Sequence, residues 1–155
     1  MHQDTTMFLI ICSALVLFMT PGLAFFYGGL VRASSVVSMM MMSFGSLGLV
    51  SVLWIVYGYS IGFSTPADGG FLGIDGVFAF SIDKLFMNDA LAAAKAGDGF
   101  PFAFGGFQGT FAIVTVALIS GAIADRAKFG SWMVFAGLWA TIVYFPVASW
   151  VFNFT

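Results

Sequence analysis

The sequence predicts an all-α integral membrane protein: four transmembrane helices in one membrane domain, residues 1–155. Three observations predict it. Hydrophobic residues make up 61% of the chain and charged residues only 8%, whereas soluble domains carry about 25% charged residues. The mean hydropathy is +1.04. The apolar residues also fall into four runs, 7–31, 36–63, 106–124 and 129–152. Each is about long enough to cross a hydrocarbon core of roughly 30 Å as a helix, and none alternates polar with apolar as a barrel strand does.

The first run has no Lys or Arg before it, so it lacks the positive region of a secretory signal and reads as a retained span. Pro21 removes a backbone donor within it and is expected to kink it. Arg32 ends the run, and Ala33-Ser34-Ser35 makes a short turn. In the second run, Met39 to Met42 point in four directions on a helix, which suits packing or lipid contact better than a soft-metal site. Trp54, Tyr57 and Tyr59 lie toward its end, where interfacial anchors are expected.

Residues 64–105 form a long loop. It holds five of the seven acidic residues (Asp68, Asp75, Asp83, Asp89, Asp98) together with Lys84 and Lys95. The segment Thr65-Pro-Ala-Asp-Gly-Gly70 is turn chemistry. Asn88 or Asp89 is expected to cap a short helix through Leu91–Lys95, with Gly97 ending it. The acids lack the spacing of a calcium loop and read as a solvated face. Phe71, Phe78, Phe80, Phe86, Phe100 and Phe102 make the loop apolar enough to fold over the membrane part. The third and fourth runs are joined by the tight charged turn Asp125-Arg126-Ala-Lys128. Trp132, Trp139, Tyr144 and Trp150 lie along the fourth run, which Pro146 is expected to kink or break.

Composition also sets exclusions. Five scattered Lys and Arg and a net charge of −2 give no nucleic-acid patch. Cys12 sits in an apolar run and packs as a small hydrophobe, and His2 is the single histidine. No cofactor or metal site and no enzyme is expected, because Asp125 and the loop acids have no base placed beside them. Arg32, Arg126 and Lys128 occupy the two short turns. The positive-inside rule therefore puts those turns in the cytoplasm of a multi-pass protein of the cell membrane, with the N-terminus and long loop extracytoplasmic.

The segment with most chemical content runs from Gly105 to Arg126. Phe107 and Phe111 stand four residues apart, so both rings share one helix face. Gln108 adds an uncharged hydrogen-bonding group where an unpaired amide is costly. Gly105 and Gly109 form a close-packing GxxxG pair. Lipid contact is the plain reading for the phenylalanines, and a lined path is the functional one.

The segments Phe18-Met-Thr-Pro-Gly-Leu-Ala-Phe-Phe-Tyr-Gly-Gly-Leu-Val-Arg32, Trp54-Ile-Val-Tyr-Gly-Tyr-Ser60, Phe107-Gln-Gly-Thr-Phe111, Ile123-Ala-Asp-Arg126 and Tyr144-Phe-Pro-Val-Ala148 span all four runs. With them the chain resembles the N-terminal part of the ammonium transporter family (Amt, related to the Mep and Rh proteins). The resemblance implies a channel-like transporter of eleven spans per subunit, a homotrimer with one pore per subunit, and a cytoplasmic face that docks PII-type signalling proteins. It also implies an outer site that recruits ammonium, a phenylalanine gate below it and a deeper histidine pair. Phe107 matches a recruitment ring, Phe111 the outer gate, Gln108 a polar neighbour, and Tyr27 a tyrosine near the inner water pathway.

Two positions depart from the family pattern. Ser149 stands where a histidine is usual, and Phe152 stands where many members carry the recruitment tryptophan, with Trp150 two residues earlier. The histidine pair has no counterpart here, so the chain is expected to be a fragment or a shortened relative. The alternative is a non-transporting four-helix module whose GxxxG seams pair with another subunit or with a second copy.

Overall fold

The computed structural model describes residues 2–64, 72–74 and 78–152. The turn at 65–70 and residues Asp68, Phe71 and Asp75 lie outside the described residues, as do the side chains of His2 and Phe78. Among the described residues, four helical segments are long and apolar enough to cross a membrane: Gln3–Leu30, Ala33–Phe63, Phe100–Ile123 and Phe129–Phe152.

The first span is one helix, α1 (His2–Leu30), which continues through Pro21 and begins before the apolar run does. The second joins α2 (Val36–Leu53) through a π-turn at Trp54–Gly58 to α3 (Tyr59–Phe63). The third is α5 (Phe100–Ile119) with a 3-10 turn at Ser120–Ile123. The fourth joins α6 (Phe129–Trp139) through a second π-turn at Ala140–Tyr144 to α7 (Phe145–Phe152). Pro146 falls just after that π-turn and does not break the span, so the irregularity of this span precedes the proline.

The loop folds onto one end of the bundle. It carries a two-stranded antiparallel hairpin, β1 (Leu72–Ile74) and β2 (Phe78–Phe80), and the short helix α4 (Asn88–Lys95). The buried Ser60 hydroxyl donates to the Ser81 carbonyl at 2.6 Å and accepts the Ser81 N–H at 3.1 Å. Lys84 Nζ donates to the Phe63 carbonyl at 2.7 Å, pairing the end of α3. Gly97, at φ +99°, ends α4 as its position predicts. The cap at the other end differs: the residue before α4 is Met87, itself left-handed at φ 56°, and the Asp89 carboxylate accepts the Ala90 N–H at 2.7 Å.

The third span starts at Phe100 rather than Gly106. The Asp98 carboxylate accepts the Phe100 N–H at 3.2 Å, and Pro101 in the first turn gives up a donor that would be unpaired anyway.

A Cβ built on Gly99 lies 3.6 Å from Thr6, and Tyr27 packs on Gly121, so the first and third spans run in the same direction. Ser35, Ser38, Asp125 and Ala127 line one cavity of about 200 Å³, which places the two short turns together at one end of the bundle. The N-terminus and the loop share the other end.

The core lies between the second, third and fourth spans. Trp132 is 1% exposed, and its Nε1–H donates to the Met42 carbonyl at 3.0 Å and the Ser46 hydroxyl at 3.1 Å. Met39 and Met42 are buried while Met41 is exposed, as the four-direction reading requires. Trp54 and Tyr59 are not interfacial anchors: they are 3% and 7% exposed and belong to the core. The loop covers the end of the span that a bare hydrophobic run presents to the interface.

Candidate functional site

The third span places its residues by face. At about 100° per residue, Gly105, Gly109, Ala112 and Val116 share one stripe and are buried. A Cβ on Gly109 would stand 2.7 Å from Trp54 Cδ1, and one on Gly105 would stand 2.7 Å from Tyr59 Cε2. The Trp54 Nε1–H donates to the Gly105 carbonyl at 3.0 Å. The GxxxG pair therefore receives aromatic rings of this chain's own second span. The seam on which a partner module depends is filled from within.

Phe107 and Phe111 sit on another face, both half-buried. Their ring centroids are 4.9 Å apart at 87°, an edge-to-face pair. Thr110 and Thr115 donate their hydroxyls to the Phe107 and Phe111 carbonyls at 2.6 and 2.7 Å. Phe111 lines a groove of about 510 Å³ between the first and third spans, together with Phe26, Leu23 and Leu118. Toward the short-turn end, the Tyr27 hydroxyl donates to the Leu118 carbonyl at 3.1 Å. Its ring lies over Gly121, where a Cβ would stand 2.6 Å from Cζ. A side chain larger than hydrogen at 121 would push Tyr27 out of this position.

The fold brings Phe107, Phe111 and Tyr27 onto one side of the first and third spans. Gln108 is 8% exposed and is not among the residues lining the groove. Adjacent helix positions differ by about 100°, so its amide lies beside the ring pair rather than between the rings. Trp150 and Phe152 lie on α7, which packs against α3 and β2. Trp150 is 57% exposed and Phe152 is half-buried. Among the described residues no group of three His, Cys, Asp or Glu stands close enough to hold a metal.

Sequence reasoning passed over Thr110 and Thr115, whose hydroxyls hold the carbonyls of both ring residues. The signal was their spacing, three and four residues after each phenylalanine.

Comparison with known proteins adds to this geometry. Residues 7–155 match the sequence model of the Ammonium Transporter Family. An ammonium transporter of Mycobacterium tuberculosis is 52% identical over 158 residues, covering 96% of this chain and 33% of the relative. One of Bacillus subtilis is 40% identical over 155 residues, covering 99% of this chain and 36% of the relative. The crystal structure of Saccharomyces cerevisiae Mep2 superposes with a TM-score of 0.77 at 33% identity, over 96% of this chain and 32% of that one. That of Candida albicans Mep2 gives 0.76 at 31% identity. The chain thus spans about a third of the length of the relatives it matches. With nearly every one of its residues aligned, all four spans included, the chain belongs to the ammonium transporter family.

Proposed function

We propose that the chain forms one wall of the conduction path of a channel-like ammonium transporter, with Phe107 and Phe111 at its outer entry. The observation that carries this reading is the edge-to-face ring pair at 4.9 Å beside an apolar groove that Phe111 lines, with Tyr27 hydrogen-bonded to the carbonyl of Leu118 in the groove wall.

Ammonium is a compact cation, and an aromatic face attracts it by about 0.5–2 kcal/mol. Carrying the charge to the bilayer centre costs at least about 2.5–3.5 kcal/mol. The ring attraction alone does not offset that, so the substrate gives its proton to water on the outer side of the entry and crosses the apolar groove as ammonia. Sodium and potassium have no proton to shed and are rejected. Gln108 flanks the entry as a hydrogen-bonding group, and Trp150 and Phe152 contribute further rings once the remaining pore walls are in place.

The complete transporter works as a homotrimer. Its N-terminus and the loop 64–105 face outward, and Arg32, Arg126 and Lys128 face a cytoplasm in which a PII-type protein docks. The family membership and the clustering of positive charge in the two short turns support this arrangement.

The test is methylammonium uptake by the full-length transporter carrying Phe111→Ala or Gln108→Ala. Loss of discrimination against potassium in the first variant and slower uptake in the second are expected. Unchanged rate and selectivity in both removes the pore roles.

A further inference from the structure

Phe111 has no polar side-chain atom. Its ring is therefore placed by its own backbone and by the edge-to-face contact with Phe107. Thr115 stands one helical turn after it on the same face, is half-buried and lines the same groove. The Thr115 hydroxyl donates to the Phe111 carbonyl at 2.7 Å. That carbonyl also accepts the helical N–H of residue 115, and its two lone pairs allow both bonds. A hydroxyl bonded back to the preceding turn selects its own rotamer and adjusts the local bend of the helix.

Thr110 makes a similar bond to the Phe107 carbonyl, but it is 8% exposed and is not among the residues lining the groove. Thr115 also reaches another span: the Tyr144 hydroxyl lies within hydrogen-bonding reach of its side chain. A hydroxyl has one proton and two lone pairs. With the Thr115 proton on the Phe111 carbonyl, its oxygen is left to accept the Tyr144 O–H. Tyr144 closes the π-turn Ala140–Tyr144, and its ring meets Phe145 edge-on at 6.2 Å and Trp139 at 6.4 Å. Phe145 is fully buried, so the core fixes Tyr144 and Thr115 passes that constraint to the turn that carries Phe111. We propose that Thr115 is a positioning residue for selectivity, which with Tyr144 holds the Phe111 ring in one place as solutes pass. The proposal rests on the reading of Phe111 as an entry ring and names the groups that keep it there.

The test compares Thr115→Val, Thr115→Ser, Tyr144→Phe and the Val/Phe double variant in the full-length transporter, at matched amounts in the membrane. Thr115→Val keeps the branched shape and removes the hydroxyl. It should lower discrimination of methylammonium against potassium by about threefold to tenfold, the factor one hydrogen bond carries, with the KM for methylammonium within about twofold of wild type. Thr115→Ser should restore selectivity. Tyr144→Phe should also lower it, and the double variant should be no worse than Thr115→Val, because both changes break one link. Where Thr115→Val does not reach the membrane, Tyr144→Phe reads the same link. Ser51→Ala, which removes a comparable bond to the Leu47 carbonyl on the second span, should leave selectivity unchanged. Wild-type selectivity in Thr115→Val or Tyr144→Phe, a loss as large in Thr115→Ser or Ser51→Ala, or multiplied losses in the double variant overturn the proposal. Phe111→Ala in the same assay separates the two readings. If it changes selectivity and Thr115→Val does not, only the positioning role fails; if it changes nothing, the entry-ring reading fails and takes the positioning role with it.

Discussion

Gly109→Ala tests the seam that fixes the third span, and Gly106→Ala supplies its internal control. At 109 the new methyl would stand 2.7 Å from Trp54 Cδ1 and 2.8 Å from Nε1. Trp54 has little room to retreat: it is 3% exposed, meets Phe145 edge-on at 5.6 Å and Phe63 at 6.2 Å, and is tethered to the Gly105 carbonyl. Overpacking of this kind costs about 1–3 kcal/mol, and a displaced ring forfeits about 1 kcal/mol of hydrogen bond. Alanine returns roughly 0.8–1.0 kcal/mol of helix propensity, so the net loss is about 1–3 kcal/mol. At 106 only the propensity gain remains, because nothing lies within 4 Å. The two variants should therefore differ by about 2–4 kcal/mol in reversible unfolding in mixed detergent micelles, followed by far-UV circular dichroism. Adding Trp54→Leu to Gly109→Ala should recover at least about 1 kcal/mol as coupling energy. If the two alanine variants unfold within about 0.5 kcal/mol of each other, the ring does not fill the seam and the account of the core is wrong.

Further outcomes follow from the same contacts. Thr20 and Ser43 are fully buried hydroxyls with no hydrogen-bond partner among the described residues, so Thr20→Val should leave stability unchanged or raise it by up to about 1–3 kcal/mol. A loss above about 1 kcal/mol in the same unfolding assay counts against it. Ser46→Ala should cost about 1–2 kcal/mol, because this hydroxyl accepts from Trp132 and donates to the Met42 carbonyl at 2.9 Å. Ser60→Ala removes both bonds to Ser81, so limited trypsin digestion should cut faster after Lys84 with the spans intact. An unchanged digestion rate would mean that the loop is held elsewhere.

The spans were legible because hydropathy acts locally: apolar length alone decides whether a segment can cross a bilayer, and the four runs have that length. Gly97 and the divergent methionines were legible for similar reasons, since left-handed turns and helical direction are properties of a few adjacent residues. The start at Phe100 was missed because Asp98 and Pro101 mark a helix through a cap, outside the hydrophobic run. What the GxxxG pair contacts was not legible either. The spacing says that something approaches closely, but a tryptophan 51 positions away in sequence fills the space as well as a helix backbone does. For the candidate site, the sharing of one face by Phe107 and Phe111 followed from spacing. The placement of Trp150 and Phe152 depends instead on how α7 packs, which no local pattern encodes.

The two π-turns explain why periodicity fails where it does. Val50 and Tyr59 stand about 180° apart on a regular helix, yet they are 0% and 7% exposed. The π-turn at Trp54–Gly58 intervenes and shifts the phase of the residues that follow it. A matching π-turn at Ala140–Tyr144 lies beside it: the Tyr57 hydroxyl and Thr141 Oγ1 are 2.7 Å apart, and the Phe145 ring fills the space over Gly58. A wide turn in one span alone would leave a poorly packed gap at that level. Two at the same level let the aromatic rings interleave, with Tyr57 meeting Phe145 edge-on at 5.8 Å. The second and fourth spans are therefore locked in register at this joint, and Trp54, which fixes the third span, extends from the same turn. The position of Phe107 and Phe111 thus depends on a joint whose residues lie on two other spans, which is why the ring pair was visible in the sequence and its support was not.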